Sequence, residues 1–339
     1  MQLDRAFGGK MKQFSIGVDL GGTNLRSAVY TPDGGLQDKR SIRTRLEDGP
    51  NAVAEDICRM IAEARSSQPD QSCIGVCVGA PGPLELPIGR FHIPPNLPGW
   101  DGFTLSEVLQ RNLDIPFYID NDANIAALAE CYLGSGKQLG LDSLNMLTLG
   151  TGVGHGIIQD GRILHGANGL AGEAGHVAVY PDGEPCNCGN SGCLEMYATA
   201  KTFHREATRR AAAGAPGIRA MLERSPEASP SDLYALATKG DADARTIFAD
   251  AGRAIGICIA SLINNMNPAL VVVAGGISDA WPLLSPTIFE ELESRSYIYR
   301  LTKPGSRFKQ NTIVQRAALG PDAGLIGAAL YPFVYGESR

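Results

Sequence analysis

The 339-residue sequence is poor in aromatic residues, 6%, and in charged residues, 19%, and it has no basic excess. Its formal net charge is −6. A general binder of the nucleic-acid backbone relies on a basic face, so this balance argues against nucleic acid. No apolar run reaches the roughly 18 residues a membrane helix requires. The opening MQLDRAFGGKMKQ has no apolar core of the signal-peptide type. These absences predict a cytoplasmic protein with no membrane partner, in which residues 1–13 form a flexible leader and Met11 is an alternative start. Several chemical signatures are also missing. There is no G-x-x-x-x-G-K-[ST], and GTGVG is not G-x-G-x-x-G, so neither a P-loop nor a dinucleotide fingerprint is present. G-x-S-x-G and H-E-x-x-H are absent too.

What is present is a globular composition, 44% hydrophobic, long enough to divide into two domains. FSIGVDLGGTNLRSAVYT (14–31) reads as strand, glycine turn, strand, and SLNMLTLGTGVGHGIIQDG (143–161) repeats that pattern, which suggests an internal duplication. Helical spacing marks 53–64, 122–134, 199–213 and 241–267, and a final helix lies near PDAGLIGAAL. Residues 214–232, rich in Pro, Ser and Gly, read as a mobile insertion. Alternating strands and helices predict two α/β lobes. The expected boundaries are 14–121 for a small lobe, rejoined by a helix at about 321–339, and 122–320 for a large one.

Three strands run into glycines: DLGGTNLR, LGTGVG and VAGGI. Glycine lets the chain turn tightly and approach a ligand, and the freed N–H groups can cradle phosphate oxygens. One such turn is unremarkable. Three, two of them in matching strand-turn-strand settings, point to a nucleotide. The candidates are Gly21, Gly22, Gly150, Gly152, Gly154, Gly275 and Gly276, with Thr23, Asn24 and Thr151 as hydroxyl or amide donors. Asp19 closes the first strand, where a carboxylate can hold Mg²⁺ through water.

Of eight cysteines, Cys58, Cys73, Cys77, Cys131 and Cys258 sit in apolar or helical contexts and read as buried thiols. Cys186, Cys188 and Cys193 instead share a loop of Gly, Asn and Ser with His176. One nitrogen and three thiolates suit tetrahedral Zn²⁺ with no open position, hence a structural site. A disulfide is disfavoured by compartment and by the odd count in the cluster. The metal leaves the bracketing acids Glu173 and Glu195 unexplained.

These motifs together resemble the ROK family of repressors and sugar kinases, and within it the bacterial glucokinases, over residues 14–332. E-x-G-H followed by C-x-C-G-x-x-G-C-x-E, here Glu173 to Glu195, is the most specific part. D-x-G-G-T-x-x-R, ending at Arg26, and L-G-T-G-x-G look like the family's phosphate motifs, and GGI like its adenosine-side turn. The resemblance implies an actin/hexokinase-like (ribonuclease H-like) α/β fold of two lobes, with an inserted structural zinc loop at 176–193. It implies ATP-dependent phosphorylation of a hexose, glucose first, with Mg²⁺ accompanying ATP and a homodimer or higher homo-oligomer. Gly79, Asn96, Asn121, Asp122, Glu173, His176 and Glu195 fall at sugar-binding positions, and Asp122 at the catalytic one. Spacing alone makes Asp120 or Asp122 a helix cap. PPNLPGW alone reads as a proline-ordered loop around a packed Trp100.

Other hexoses, N-acetylhexosamines and polyphosphate as donor stay open. A sugar-responsive regulator is a different class of reading. Repressors of the family carry a helix-turn-helix domain of several dozen residues before the first glycine motif; here 18 residues precede Asp19, without helical period, which disfavours that reading. An actin-like filament or chaperone protein is a third, disfavoured because it needs no clamp for sugar hydroxyls.

Overall fold

The computed structural model describes residues 12–336, so nearly all of the expected leader, including Met11, lies outside the described residues. Gln13 already belongs to the first strand.

Two compact units form. The first comprises the chain up to Leu133, together with Arg162–Ala171 and the chain from Asp322 onward. Its sheet has the strands β1 (Gln13–Leu20), β2 (Asn24–Thr31), β3 (Gly35–Arg43), β4 (Ser72–Ala80) and β5 (Phe117–Asn121). The order is β3-β2-β1-β4-β5. β1, β2 and β3 are antiparallel neighbours, while β4 and β5 run parallel to β1.

β1 is buried on both faces, and its two-residue period divides the labour. Phe14, Ile16 and Val18 join the apolar cluster of helix Gly49–Ser66, with Val53, Ile57, Met60 and Ile61. Ser15 and Gly17 face the C-terminal helix Ala323–Tyr335, where the Ser15 hydroxyl donates to the Ala329 carbonyl. Each fully buried Ile or Leu in such a cluster contributes roughly 1.5–3 kcal/mol.

The helix Asp122–Tyr132, expected with the second lobe, belongs to the first unit. The cause is close helix packing: a Cβ on Gly327 would stand 1.9 Å from the Ile125 carbonyl oxygen, so only glycine lets the two helices meet there. Arg162–Ala171 likewise clusters with the first unit, although it was expected in the second.

The second unit comprises Gly134–Gly161 and Gly172–Pro321. Within it the strands β6 (Leu144–Leu149), β7 (Val153–Gln159), β8 (Leu270–Ala274) and β9 (Ile313–Arg316) run in the order β7-β6-β8-β9. β6 and β7 are antiparallel, and β8 is parallel to both β6 and β9. Leu147, Val271 and Val273 pack with Ile255 and Ile259 of helix Ala242–Met266 and with Leu284 and Ile288 of helix Trp281–Arg295. Helix Ala242–Met266 is long and apolar enough to span a membrane by composition, but most of its apolar window is buried in this core.

The segment 214–232 is not the mobile insertion expected. It builds helix Pro216–Arg224 and the start of helix Pro230–Thr238. Pro216 and Pro230 occupy first helical positions, where the missing N–H costs nothing and the fixed φ suits a helix, and Pro226 lies in the turn between the two helices. Ser229 and Asp232 form a reciprocal capping box, and Ile218, Met221 and Leu233 are buried.

Candidate functional site

In the first unit the site begins at the carboxyl ends of its parallel strands, the edge where open α/β sheets place ligands. Register sets Asp19, Gly79 and Asp120 side by side on β1, β4 and β5. From the same edge leave the turn Gly21–Asn24 and the sequence Asn121-Asp122. The turn is closed by Gly21 N–H donating to the Asn24 carbonyl at 3.0 Å, and Gly22, Thr23 and Asn24 are exposed. Asn96 is exposed on its proline-rich loop, and its carbonyl lies beside Gly22. Trp100 anchors that loop, buried edge-on against Phe91 and Phe103.

The cap of helix Asp122–Tyr132 is neither Asp120 nor Asp122. Asn121 is extended (φ −67°, ψ 140°), and its side-chain oxygen accepts from the Ala123 and Asn124 amides at 2.9 and 3.4 Å. Asp122 is therefore the first helical residue, half-buried, where the unpaired amides of the helix start favour its negative charge.

Arg26, expected at phosphate, directs its guanidinium to carboxylates. Nε and Nη2 both reach Asp19 Oδ2, and Nη1 lies 3.4 Å from Asp322 Oδ1. Lys39 also pairs with Asp322.

The second unit gathers the remaining residues. Gly150 N–H donates to the Gly152 carbonyl at 3.0 Å, closing the turn between β6 and β7. Thr151 is exposed there, and Gly154 sits in β7. Glu195 Oε2 accepts from the Val153 amide at 3.0 Å. A Cβ on Gly152 would stand 2.7 Å from that oxygen, so the acid and the glycine turn require one another. Gly275, at φ 84°, passes so close to the end of β6 that a Cβ would meet the Leu149 carbonyl, and Gly276 follows it, exposed. Two of the three glycine turns are thus packed together. Partial burial raises the Glu173 carboxyl above its usual range; His176 opposes this and Glu195 adds to it.

His176, Cys186, Cys188 and Cys193 converge with their ligand atoms all within 4.8 Å of one another. His176 Nδ1 lies 3.7 Å from Cys186 Sγ, and Cys188 Sγ lies 3.7 Å from Cys193 Sγ. A disulfide needs about 2.05 Å, so these are free thiols. The edge of a zinc tetrahedron with Zn–S near 2.3 Å is about 3.8 Å, and the donor set fits that group. Without a cation, burial and the neighbouring thiols push Cys193 up to about 12. Backbone bonds also shape the loop, Cys186 N–H donating to the Asn190 carbonyl and Gly189 N–H to the Cys186 carbonyl, and Gly192 runs against Tyr180.

Sequence reasoning missed three groups. Asp120 is fully buried and meets His165 Nε2 at 2.6 Å. Asp322 ties into the Asp19–Arg26 pair. His155 is buried on Asn145 at 2.8 Å, and burial lowers its pKa to about 4. A signal for the first existed: a carboxylate at a buried strand end needs a cationic or hydrogen-bonding partner, and only five histidines are available.

The whole arrangement is one of a family. Residues 15–332 match the model of the ROK family, and the chain belongs to it. It is 36% identical to a protein of Halalkalibacterium halodurans named glucokinase, over 92% of each chain. Among solved structures it is similar to a ROK hexokinase from Thermus thermophilus (31% identity, TM-score 0.77, 96% of this chain and 100% of that one). It is also similar to a ROK family glucokinase from Streptomyces griseus in complex with glucose and AMPPNP (30% identity, TM-score 0.76, 93% and 98%).

Proposed function

We propose that this chain is a sugar kinase of the actin/hexokinase-like fold that transfers the γ-phosphoryl group of ATP to the primary hydroxyl of a hexose, glucose first. The observation that carries the reading is Asp122. Its carboxylate stands at the first residue of a helix whose N-cap is Asn121; Asp122 Oδ1 accepts only from the Ala123 amide among the helix-start bonds described, at 2.8 Å, and Asn121 already serves that amide, so an acid there is not required for capping. The relative named glucokinase and the likeness to the complex with glucose and AMPPNP support it.

In this reading Asp122 accepts the proton of the sugar hydroxyl as its oxygen bonds to the γ-phosphorus and the bond to the ADP oxygen breaks. Asn121, Asn96, Gly79, Glu173, His176 and Glu195 bind the sugar. Oε2 of Glu195 also positions the Gly150–Val153 turn. The turns at Gly21–Asn24, Gly150–Gly154 and Gly275–Gly276 hold phosphate and nucleotide, Arg26 acting through Asp19. Mg²⁺ bound with ATP supplies charge neutralisation at the transferring phosphoryl. His176, Cys186, Cys188 and Cys193 hold zinc, which fixes the loop; with Nδ1 turned to Cys186, Nε2 of His176 can face the sugar. A homo-oligomer is part of the proposal, checked by sedimentation.

The test is ADP release over a panel of hexoses and N-acetylhexosamines, with polyphosphate as an alternative donor. Glucose with ATP is expected to give the highest kcat/KM. A folded protein that releases ADP with no sugar in the panel would overturn the reading.

A further inference from the structure

We infer that His165 is a positioning residue: through the buried Asp120 carboxylate it holds the Asn121-Asp122 turn in place for phosphoryl transfer. The inference rests on the sugar-kinase reading and deepens it.

The chain of contacts lies within the first unit. His165 Nε2 stands 2.6 Å from Asp120 Oδ2. The other oxygen, Oδ1, accepts from the Asn121 amide at 2.7 Å and from the Asn124 side-chain amide at 3.0 Å. Asn121 is the helix cap, and Asp122 follows it. The carboxylate that fixes the start of this helix is thus itself held by the His165 imidazole, with the Tyr331 hydroxyl also hydrogen-bonded to it. At 1% side-chain exposure it cannot rely on water, and a buried charge needs a partner of this kind. The His165 carbonyl also accepts from Ala171 N–H at 3.0 Å, closing the loop that leads along the chain to Glu173.

Tyr331, Tyr335 and Cys77, which surround Asp120, stay neutral near pH 7. Burial pushes the Tyr331 hydroxyl far up, with Asp120 adding to it, pushes Tyr335 up to about 12, and pushes the Cys77 thiol well up. Arg162, the nearby cation, lies over the Tyr335 ring, whose hydroxyl accepts from the Ile163 amide. His165 is therefore the group of this set that changes charge near neutrality, and its bond to Asp120 raises its pKa. Below that raised value the pair is an ion pair; as pH rises through it, the charge is lost, an uncharged N–H donor remains, and the turn loosens in part.

The test uses full-length protein, with glucose and ATP, and the variants His165→Leu and His165→Gln. Leucine removes the donor, while glutamine restores an uncharged one. Displacement of a reacting group by about 1 Å can cost on the order of 10²-fold, so kcat for His165→Leu is expected to fall at least about tenfold, with KM for glucose changed less. His165→Gln is expected to hold kcat near the level the wild type keeps above the raised pKa, well above that of His165→Leu, and to lack the alkaline limb of the wild-type kcat profile. Wild-type kcat in a folded His165→Leu variant would overturn the inference while leaving the kinase reading intact. If that variant does not fold, an alkaline limb that persists unchanged in His165→Gln overturns it instead. A wild-type protein without turnover on any sugar would sink the kinase reading, and the inference with it.

Discussion

The two units are built on one sheet plan and finish it differently. In each, an antiparallel hairpin precedes two parallel strands, β2-β1-β4-β5 in one and β7-β6-β8-β9 in the other. Aligned from the turn, Leu20 pairs Leu25 as Leu149 pairs Val153, and Val18 pairs Ser27 as Leu147 pairs His155. The intervening pair is Asp19–Arg26 in the first unit and Thr148–Gly154 in the second. The first turn is therefore held by an ion pair across its hairpin, and the second by a carboxylate, Glu195, which follows the cysteine-rich loop. One unit is self-sufficient at its turn. The other draws on a distant loop, which in the proposal is fixed by zinc on His176, Cys186, Cys188 and Cys193.

Removing the metal is expected to break this contrast most severely. Structural zinc contributes an apparent ~10–16 kcal/mol in small peptides. Cys188→Ser, or treatment with a strong chelator, should lower the unfolding temperature of the second unit and leave the first nearly unchanged in calorimetry. A purified protein holding less than about half an equivalent of zinc would count against the assignment.

Next in size is Asp122→Asn. The amide keeps the shape and hydrogen-bonding reach of the acid but cannot take the proton. A positioned base supplies ~10²–10⁴-fold, equivalent to roughly 3–5 kcal/mol of barrier. The loss is expected in kcat, with KM for sugar nearly unchanged and melting normal. Retention of more than about a tenth of wild-type kcat would remove the base assignment.

The third prediction uses the difference at the aligned positions Ser27 and His155. His155 is buried and neutral, its pKa lowered to about 4. Unfolded, a histidine titrates near 6.5. Between those values the unfolded state binds the extra proton, so stability is full above pH ~6.5 and falls as pH drops toward ~4, by about 3 kcal/mol. Urea titrations across that range are expected to show the slope in wild type. His155→Gln, which keeps a side-chain partner for Asn145, should flatten it. Parallel curves would contradict the reading.

The parts of this comparison differ in how far the sequence revealed them. The hairpins at 14–31 and 143–161 were legible because strand, glycine and strand recur in order, and the metal-ligand set because four soft ligands crowd one short loop. Helix Asp122–Tyr132 was legible as a helix, but its unit was not, since Gly327 meeting Ile125 is a contact between distant segments. Residues 214–232 misled because proline marks a helix start as readily as a break. Arg26 sits in a phosphate motif, yet its carboxylate partners Asp19 and Asp322 come from opposite ends of the chain. The Asp120–His165 pair has the same character: each residue is ordinary alone, and only folding makes them neighbours.

The smallest expected effect separates two duties at Asn121. Its side-chain oxygen caps the helix, while its Nδ2 points toward the Gly82 turn and is available in the proposal for a sugar oxygen. Serine caps about as well as asparagine, whereas alanine costs ~1 kcal/mol. Asn121→Ser should therefore melt within a few tenths of a kcal/mol of wild type, and yet raise KM for glucose because the amide donor is gone. Asn121→Ala should show the same rise in KM together with the loss of stability. If serine restores both stability and KM, the residue is a cap alone, and sugar recognition in the first unit falls to Asn96 and Asp122. If neither variant loses stability, the bonds to the Ala123 and Asn124 amides contribute nothing net, and the argument that frees Asp122 from capping fails with them.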